Sequence, residues 1–230
     1  MTITALILAH YKQREGNLKR IVDDLWNGTV RPDNILMFID NPGIEFKDER
    51  INIIRSSQSL LPNIRFALGL VSGADYCLFL DDDLTVRERT LENFVFYSSI
   101  HSESVLGFEG SILGDTDTPY SNDTPVKRED HEKIIMVDIV IRTYFVPVKL
   151  LMAGLELRMK HPELPRKSLD DVFLCFGNKY LNNNRNYVIP VDEVSNLTEL
   201  PDGGVGQSLT EEHYGNRNKV CKFLMNIYKV

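Results

Sequence analysis

The sequence predicts an α/β fold with a mostly parallel central sheet and helices on both of its faces. Apolar runs typical of buried strands alternate with segments of helical period through the N-terminal half of the chain. The connections between these segments are short, and such alternation is the pattern of parallel strands in one sheet. The chain of 230 residues is long enough for a full hydrophobic core, so we expect a single domain over residues 1–230.

Each element of the N-terminal half follows from a local pattern. The first helix is indicated by Leu18, Ile21, Val22 and Leu25, which share one helical face. The second strand ends in turn residues at 40–43. We expect strands at Ile3–Ala9, Asn34–Ile39, Ile51–Ile54 and Asp75–Leu80, and helices at Asn17–Trp26, Asn63–Val71 and Thr90–Ile100.

The regular alternation ends in the second half of the chain. Residues 114–130 are polar and rich in Asp, Thr, Pro and Ser, which predicts a long surface loop. Residues 190–207 are predicted to be irregular, with a flexible stretch at 201–206. Ser168 is a predicted helix N-cap, with Asp171 three residues later. We expect a strand in Ile134–Val146 and helices at Lys149–Leu157, Ser168–Tyr180 and His213–Tyr228.

Composition excludes several classes of protein. The net charge of −7 disfavours a nucleic-acid partner, which usually requires a basic face. The apolar run at 2–9 is too short to span a bilayer and has no basic leader, so we expect no transmembrane segment. Three cysteines (Cys77, Cys175 and Cys221) are too few for a disulfide framework. These observations predict a cytoplasmic protein.

An acidic triplet is the most informative motif. The apolar run 76–80 ends in Asp81, Asp82 and Asp83, which predicts a buried strand that delivers carboxylates to the edge of the sheet. Ligands of open α/β sheets bind at that edge. Adjacent carboxylates raise one another's pKa, and a divalent cation would offset their repulsion. The alternative interpretation is a solvated acidic turn.

Two further clusters precede the triplet in the chain. The loop after the first strand offers Tyr11 to stack on a base and Arg14 to bind a phosphate. Asn63 and Arg65 lie at a helix start, where free backbone N–H groups favour an anion and an arginine suits a diphosphate. The alternatives are an exposed basic loop and a simple helix cap at Asn63.

The last cluster joins two C-terminal segments. Asp170 and Asp171 fall in the first turn of a predicted helix, where the helix dipole by itself would stabilise them. His213 and Arg217 are four residues apart and therefore share one helical face. The histidine is a candidate metal ligand and the arginine a candidate phosphate clamp, although a lone histidine is more often structural.

Taken together, these residues resemble a glycosyltransferase of the GT-A fold, and more narrowly the hexosaminyltransferase-like catalytic domain of the exostosin family. One departure is that Leu169 occupies the position of a cysteine that animal members bridge to the closing helix, so only Cys221 remains. The motifs that carry the resemblance are Tyr11-Lys12 with Arg14, Asn63-Ile64-Arg65-Phe66, Asp81-Asp82-Asp83, Asp170-Asp171-Val172, and His213, Arg217, Cys221 and Tyr228 in order.

The resemblance implies transfer of a sugar, with retention, from a UDP-sugar donor to a saccharide acceptor, with Mn²⁺ or Mg²⁺ as cofactor. About residues 1–113 would bind the nucleotide-sugar and about 114–230 the acceptor. The implied metal ligands are Asp83 and His213. The implied donor-binding residues are Tyr11, Arg14, Asn63, Arg65, Asp81 and Asp82. The implied catalytic residues are Asp171, with Asp170 as its substitute, and Arg217, which would stabilise the leaving diphosphate. The alternative is an inverting reaction, in which Asp171 would be the general base.

Two other functions fit parts of the sequence. Asp81-x-Asp83-x-Thr85 after an apolar strand also matches the haloacid-dehalogenase phosphatase signature, in which the first aspartate attacks phosphate. That motif normally follows the first strand of its fold, whereas three predicted strands precede it here. The third possibility is a non-catalytic module that binds a nucleotide-sugar and a metal without turnover.

Overall fold

The computed structural model describes residues 1–60, 62, 64–129, 131–165, 169–206 and 210–228. The strands are β1 Ile3–Ala9, β2 Asn34–Ile39, β3 Asn52–Arg55, β4 Tyr76–Asp81, β5 Leu84–Val86, β6 Val105–Ile112, β7 Thr124–Val126, β8 Ile135–Val137, β9 Ile139–Pro147, β10 Asn186–Val188 and β11 Leu197–Glu199. The helices are α1 Leu18–Asn27, α2 Ile64–Val71, α3 Thr90–Ile100, α4 Val148–Lys160, α5 Asp170–Tyr180 and α6 Glu211–Ile227.

A nine-stranded sheet runs through the molecule in the order β3-β2-β1-β4-β9-β6-β10-β8, with β7 paired to β6. Strands β3, β2, β1 and β4 are parallel. Strand β9 lies antiparallel between β4 and β6. The predicted α/β fold is therefore confirmed, with parallel pairing concentrated in the N-terminal half and mixed pairing beyond it.

Helices cover both faces of the sheet because its strands are apolar on both sides. One core cluster packs α2, α4, α5 and α6 against one face, with Phe66 and Phe173 fully buried in it. The other cluster packs α1 and α3 against the opposite face around Leu18 and Phe94. The carboxyl edge of β1, β2 and β4 is left open, and this edge carries the polar residues considered below.

Several strands differ from the sequence prediction. Strand β6 was not predicted, because Gly107 and Gly110 interrupt its apolar run. A Cβ at Gly107 would lie 2.7 Å from the carbonyl oxygen of Thr143 on β9, so the close approach of the two strands requires glycine there. Strand β7 lies within the predicted 114–130 loop, and β11 lies within the predicted irregular stretch. The predicted cap Ser168 is outside the described residues.

The contact between α4 and α5 depends on a second glycine. A Cβ at Gly177 would lie 2.7 Å from backbone atoms of Ala153, which cannot move aside as a side chain can. We therefore expect Gly177→Ala to cost about 1–3 kcal/mol of unfolding free energy. Gly215→Ala is the matched control, because that helical position is open and exposed; it should be neutral or stabilise by up to about 1 kcal/mol. Urea denaturation of both variants measures the difference, and equal stabilities would contradict this account of the packing.

The sequence predicted neither a transmembrane segment nor a disulfide framework. None of the helices in the described ranges combines the length and the apolar character that crossing a bilayer requires. Cys77, Cys175 and Cys221 are all buried and free. Burial raises the pKa of Cys77 and of Cys221 to about 12, so these thiols are held in the protonated, unreactive form.

Candidate active site

A cavity of about 700 Å³ opens at the carboxyl edge of β1, β2 and β4. This volume lies in the range of small-molecule and cofactor sites. Its described lining carries twice as many carboxylates as guanidinium groups, so an anionic ligand would enter against an excess of negative charge unless a cation accompanied it. The carboxylates are Asp40, Asp81, Asp82, Asp83, Asp170, Asp171, Glu199 and Asp202, and the guanidinium groups are Arg14, Arg65, Arg142 and Arg217.

Asp82 anchors the loop that follows β1. Its buried carboxylate accepts hydrogen bonds from the backbone N–H groups of His10 at 2.9 Å and Tyr11 at 3.1 Å. It also accepts from Arg14 Nη1 at 2.7 Å. Asp82 is therefore the structural member of the triplet, whereas Asp81 and Asp83 on either side of it each pair with a single arginine among the described residues.

Arg14 pairs with the acidic triplet. Its Nη1 lies 3.0 Å from Asp83 Oδ2, while Nε donates to the carbonyl oxygen of Asp202 at 3.0 Å and Nη2 donates to that of Val205. Its guanidinium also lies over the Tyr11 ring, 4.7 Å from the centroid. The guanidinium that the sequence suggested for a phosphate is thus engaged by protein groups, and Arg14 ties the 202–205 segment to the triplet.

Asp81 shares a buried arginine with the acidic pair of α5. Arg65 Nη1 donates to Asp81 Oδ1 at 2.8 Å, and Nη2 pairs with Asp170. The Tyr144 hydroxyl donates to Asp170 and lies 3.2 Å from Arg65 Nη2. Desolvation raises the pKa of Asp81 to about 6, against the charge of Arg65. Burial also opposes ionisation of Asp170, but Arg65 and Tyr144 hold its pKa below the ordinary value.

The second carboxylate of α5 pairs with α6. Arg217 binds Asp171 through two hydrogen bonds, Nη1–Oδ1 at 3.1 Å and Nη2–Oδ2 at 2.6 Å, and both residues are buried. The Arg217 guanidinium also lies over the ring of Tyr120, 4.3 Å from its centroid. The structure therefore brings together these two predicted residues from helices that are distant in sequence.

His213 is suited to be a metal ligand. Burial and the nearby charge of Arg217 lower the pKa of His213 to about 4, so its imidazole is neutral at physiological pH. Its Nδ1 is buried and has no hydrogen-bond partner among the described residues. Burial raises the pKa of Asp83, the other predicted ligand, against the charge of Arg14. Both residues line the same cavity.

Asp83 and His213 are too few to hold a cation by themselves, so a bound phosphate ligand would have to complete its coordination. Within the described ranges, no three histidine, cysteine or acidic side chains lie together as a metal-binding group. Mg²⁺ and similar cations are commonly held by one or two carboxylates and completed by phosphate oxygens and water. Asp83 and His213 both line the cavity, so a cation there would take most of its ligands from a bound diphosphate and water.

Asp40, directly after β2, lines the same cavity and was not among the predicted site residues. Its buried carboxylate accepts hydrogen bonds from the Ser59 hydroxyl and the Leu60 N–H, both at 2.6 Å, and lies 3.3 Å from His10 Nδ1. An acid directly after an apolar strand was the available signal, but its turn-forming neighbours pointed to a loop role. The predicted ligand Asn63 lies outside the described residues.

Comparison with known proteins supports the fold. The structure is similar to the crystal structure of GalNAc-T7 with UDP, GalNAc and Mn²⁺, with a TM-score of 0.71 over 99% of this chain. The chain has the GT-A fold. Sequence identity is 11%, and the match spans about half (50%) of the GalNAc-T7 chain. No family model matches the chain and no curated protein matches its sequence, so the exostosin family in particular has no support from these comparisons.

Proposed function

We propose that this protein is a metal-dependent glycosyltransferase that moves a sugar from a UDP-sugar to a saccharide acceptor. One observation carries the proposal: a GT-A fold places Asp83 and His213 on a cavity whose described lining has an excess of carboxylates. A diphosphate and a divalent cation entering together would offset that charge. GalNAc-T7, the similar structure, was crystallised with UDP and Mn²⁺.

The nucleotide would lie along β1, β2 and β4, on residues 1–113, and its diphosphate and sugar would reach the part of the cavity lined by residues 114–230. Asp83 and His213 would hold Mn²⁺ or Mg²⁺, which when bound stabilises the negative charge that develops on the leaving diphosphate. Asp81 would face the ribose and base, with Tyr11 beside them. Asp82 and Arg14 position the loop on which the nucleotide rests.

The acceptor would approach from the side formed by residues 114–230. Asp171 would act on the reacting hydroxyl group of the acceptor. Arg217 orients the Asp171 carboxylate through their two hydrogen bonds. A general base needs a free lone pair aimed at its proton. Retention of anomeric configuration is proposed on the exostosin resemblance alone. Among the described residues, Asp171 Oδ2 accepts a hydrogen bond only from Arg217, so it keeps a lone pair and could serve as the base of an inverting reaction.

The resemblance to the exostosin family implies that the transferred sugar is a hexose or an N-acetylhexosamine. The phosphatase alternative loses its support, because Asp81, which would be its nucleophile, follows the fourth strand of a GT-A fold and pairs with Arg65. A non-catalytic module remains the rival, and release of UDP in the presence of an acceptor distinguishes the two.

Calorimetric titration of UDP tests the proposal. We expect micromolar binding with Mn²⁺ present and little or none with a chelator, since the diphosphate alone would be repelled by the acidic cavity. Mn²⁺ without UDP should bind weakly, because the protein supplies few of its ligands. UDP binding that a chelator leaves unchanged would contradict the metal dependence, and no UDP binding in either condition would contradict the proposal as a whole.

A further inference from the structure

Arg142 has a backbone conformation that is unusual for an arginine. It lies in β9 with φ of 67°, in the left-handed region that favours glycine. The pairing of β6 with β9 shifts register here: Gly107 faces Tyr144 and Glu109 faces Ile141, so two residues of β9 oppose one of β6. Arg142 thus occupies a β-bulge, a feature that re-aims side chains beside active sites.

The bulge directs the Arg142 side chain to the cavity. Its guanidinium pairs with both carboxylate oxygens of Glu199, Nη1–Oε1 at 2.8 Å and Nη2–Oε2 at 2.6 Å, and both residues line the cavity that Asp83 lines. Arg128 also donates to Glu199, at 2.5 Å. Arg128 and Arg142 also approach Glu109, at 3.4 Å and 3.7 Å, so two arginines face two carboxylates on this side of the cavity.

Strained backbone of this kind is retained where the position of a side chain matters. A glycine at residue 142 would remove the strain and would leave the Glu199–Arg128 ion pair in place. Arg142 combines this strain with a place on the cavity, which is the combination expected of a residue that binds a ligand.

The Arg142–Glu199 pair suits an uncharged sugar. The arginine donates hydrogen bonds and the glutamate accepts them, so neighbouring hydroxyl groups find both kinds of partner. A carboxylate on the sugar would be repelled by the charge of Glu199, whereas an uncharged hydroxyl group would not. Arg142 and Glu199 share the cavity with Asp83, and the first sugar of the donor would lie in that cavity beside the proposed metal–diphosphate position.

We propose that Arg142, held by the bulge and paired with Glu199, determines the specificity of this protein for the sugar of its donor and selects an uncharged one. The proposal rests on the proposed UDP-sugar site and names the substrate class of that site. Arg142 touches the sugar and neither the uridine nor the metal. Its replacement should therefore affect UDP-sugars and leave UDP itself unaffected.

The test compares UDP with UDP-glucose, UDP-galactose, their N-acetylhexosamine counterparts and UDP-glucuronate, all titrated with Mn²⁺ present. In the wild type, a neutral UDP-sugar should bind more tightly than UDP-glucuronate. Arg142→Gly should weaken the binding of the best neutral UDP-sugar by about tenfold or more, as expected for loss of charge-assisted hydrogen bonds. The same variant should change UDP affinity by less than about twofold and leave Tm equal or higher.

Arg142→Ala separates the side chain from the strain. It also lacks the guanidinium but keeps a Cβ at positive φ, so it should bind like Arg142→Gly and melt at a lower temperature. Three results would overturn the proposal: unchanged binding of every UDP-sugar in Arg142→Gly, an equal loss for UDP itself, or UDP-glucuronate as the best wild-type ligand. Absence of wild-type UDP binding would instead remove the proposed function, and this inference with it.

Discussion

Asp83→Asn is expected to abolish Mn²⁺-dependent binding of UDP. The substitution removes the charge of the carboxylate proposed as the principal metal ligand and leaves the side chain nearly the same size. With few protein ligands available, loss of one should weaken UDP binding in Mn²⁺ by about 100-fold or more. Calorimetry with Mn²⁺ and with a chelator measures the effect, and in the variant the two titrations should become alike.

The fold should tolerate this change. Arg14 keeps its 2.7 Å hydrogen bond to Asp82, which in turn holds the loop after β1. The expected Tm of Asp83→Asn is therefore close to that of the wild type. Asp115→Asn, an exposed position away from the cavity, is the matched control and should bind UDP normally. Retention of metal-dependent UDP binding by Asp83→Asn would show that the metal is held elsewhere.

The largest expected effect on stability follows from Arg65→Met. Arg65 is 3% exposed, and its guanidinium pairs with Asp81, Asp170 and the Tyr144 hydroxyl. Methionine fills much of the same volume but leaves the buried Asp170 carboxylate without its counter-charge. Breaking one partner of a buried ion pair costs about 3–5 kcal/mol. For a chain of this length, Tm should fall by about 6–20 °C.

Two further variants test the cause of that loss. Arg65→Met combined with Asp170→Asn removes the stranded charge and should recover part of the stability. Arg89→Met is the control, because Arg89 and its partner Glu92 form an ion pair at the surface, and its Tm should equal that of the wild type. If Arg65→Met alone had the same Tm as the wild type, the ion pair between α2 and α5 would not hold the site together.

Many residues of the candidate site were predictable because they belong to patterns formed by residues close together in the sequence. An apolar run that ends in three carboxylates predicts an acid-bearing sheet edge from adjacent residues alone. Asp81 at the end of β4 and Asp83 in the turn after it both line the cavity at that edge. The spacing of His213 and Arg217 likewise predicts one helical face. Both lie on the cavity, as expected for neighbouring positions on α6.

The short strands were not predictable in this way. Strands β5, β7 and β11 have three residues each, too few for an alternating pattern to stand out from a loop. They form only where the tertiary structure brings a partner strand beside them: β5 and β11 pair with each other, and β7 pairs with β6. Their existence depends on the packing of segments that are distant in sequence.

The sequence by itself determined the α/β class, the acidic edge of the sheet and the identity of most polar residues around the cavity. Only the tertiary structure decided which charges neutralise one another: Arg65 with Asp170, Arg217 with Asp171, and Arg14 with Asp82 and Asp83. The physical reason is that periodicity reports neighbours a few residues away. An ion pair between residues 105 positions apart, such as Arg65–Asp170, depends on how the helices dock across the sheet.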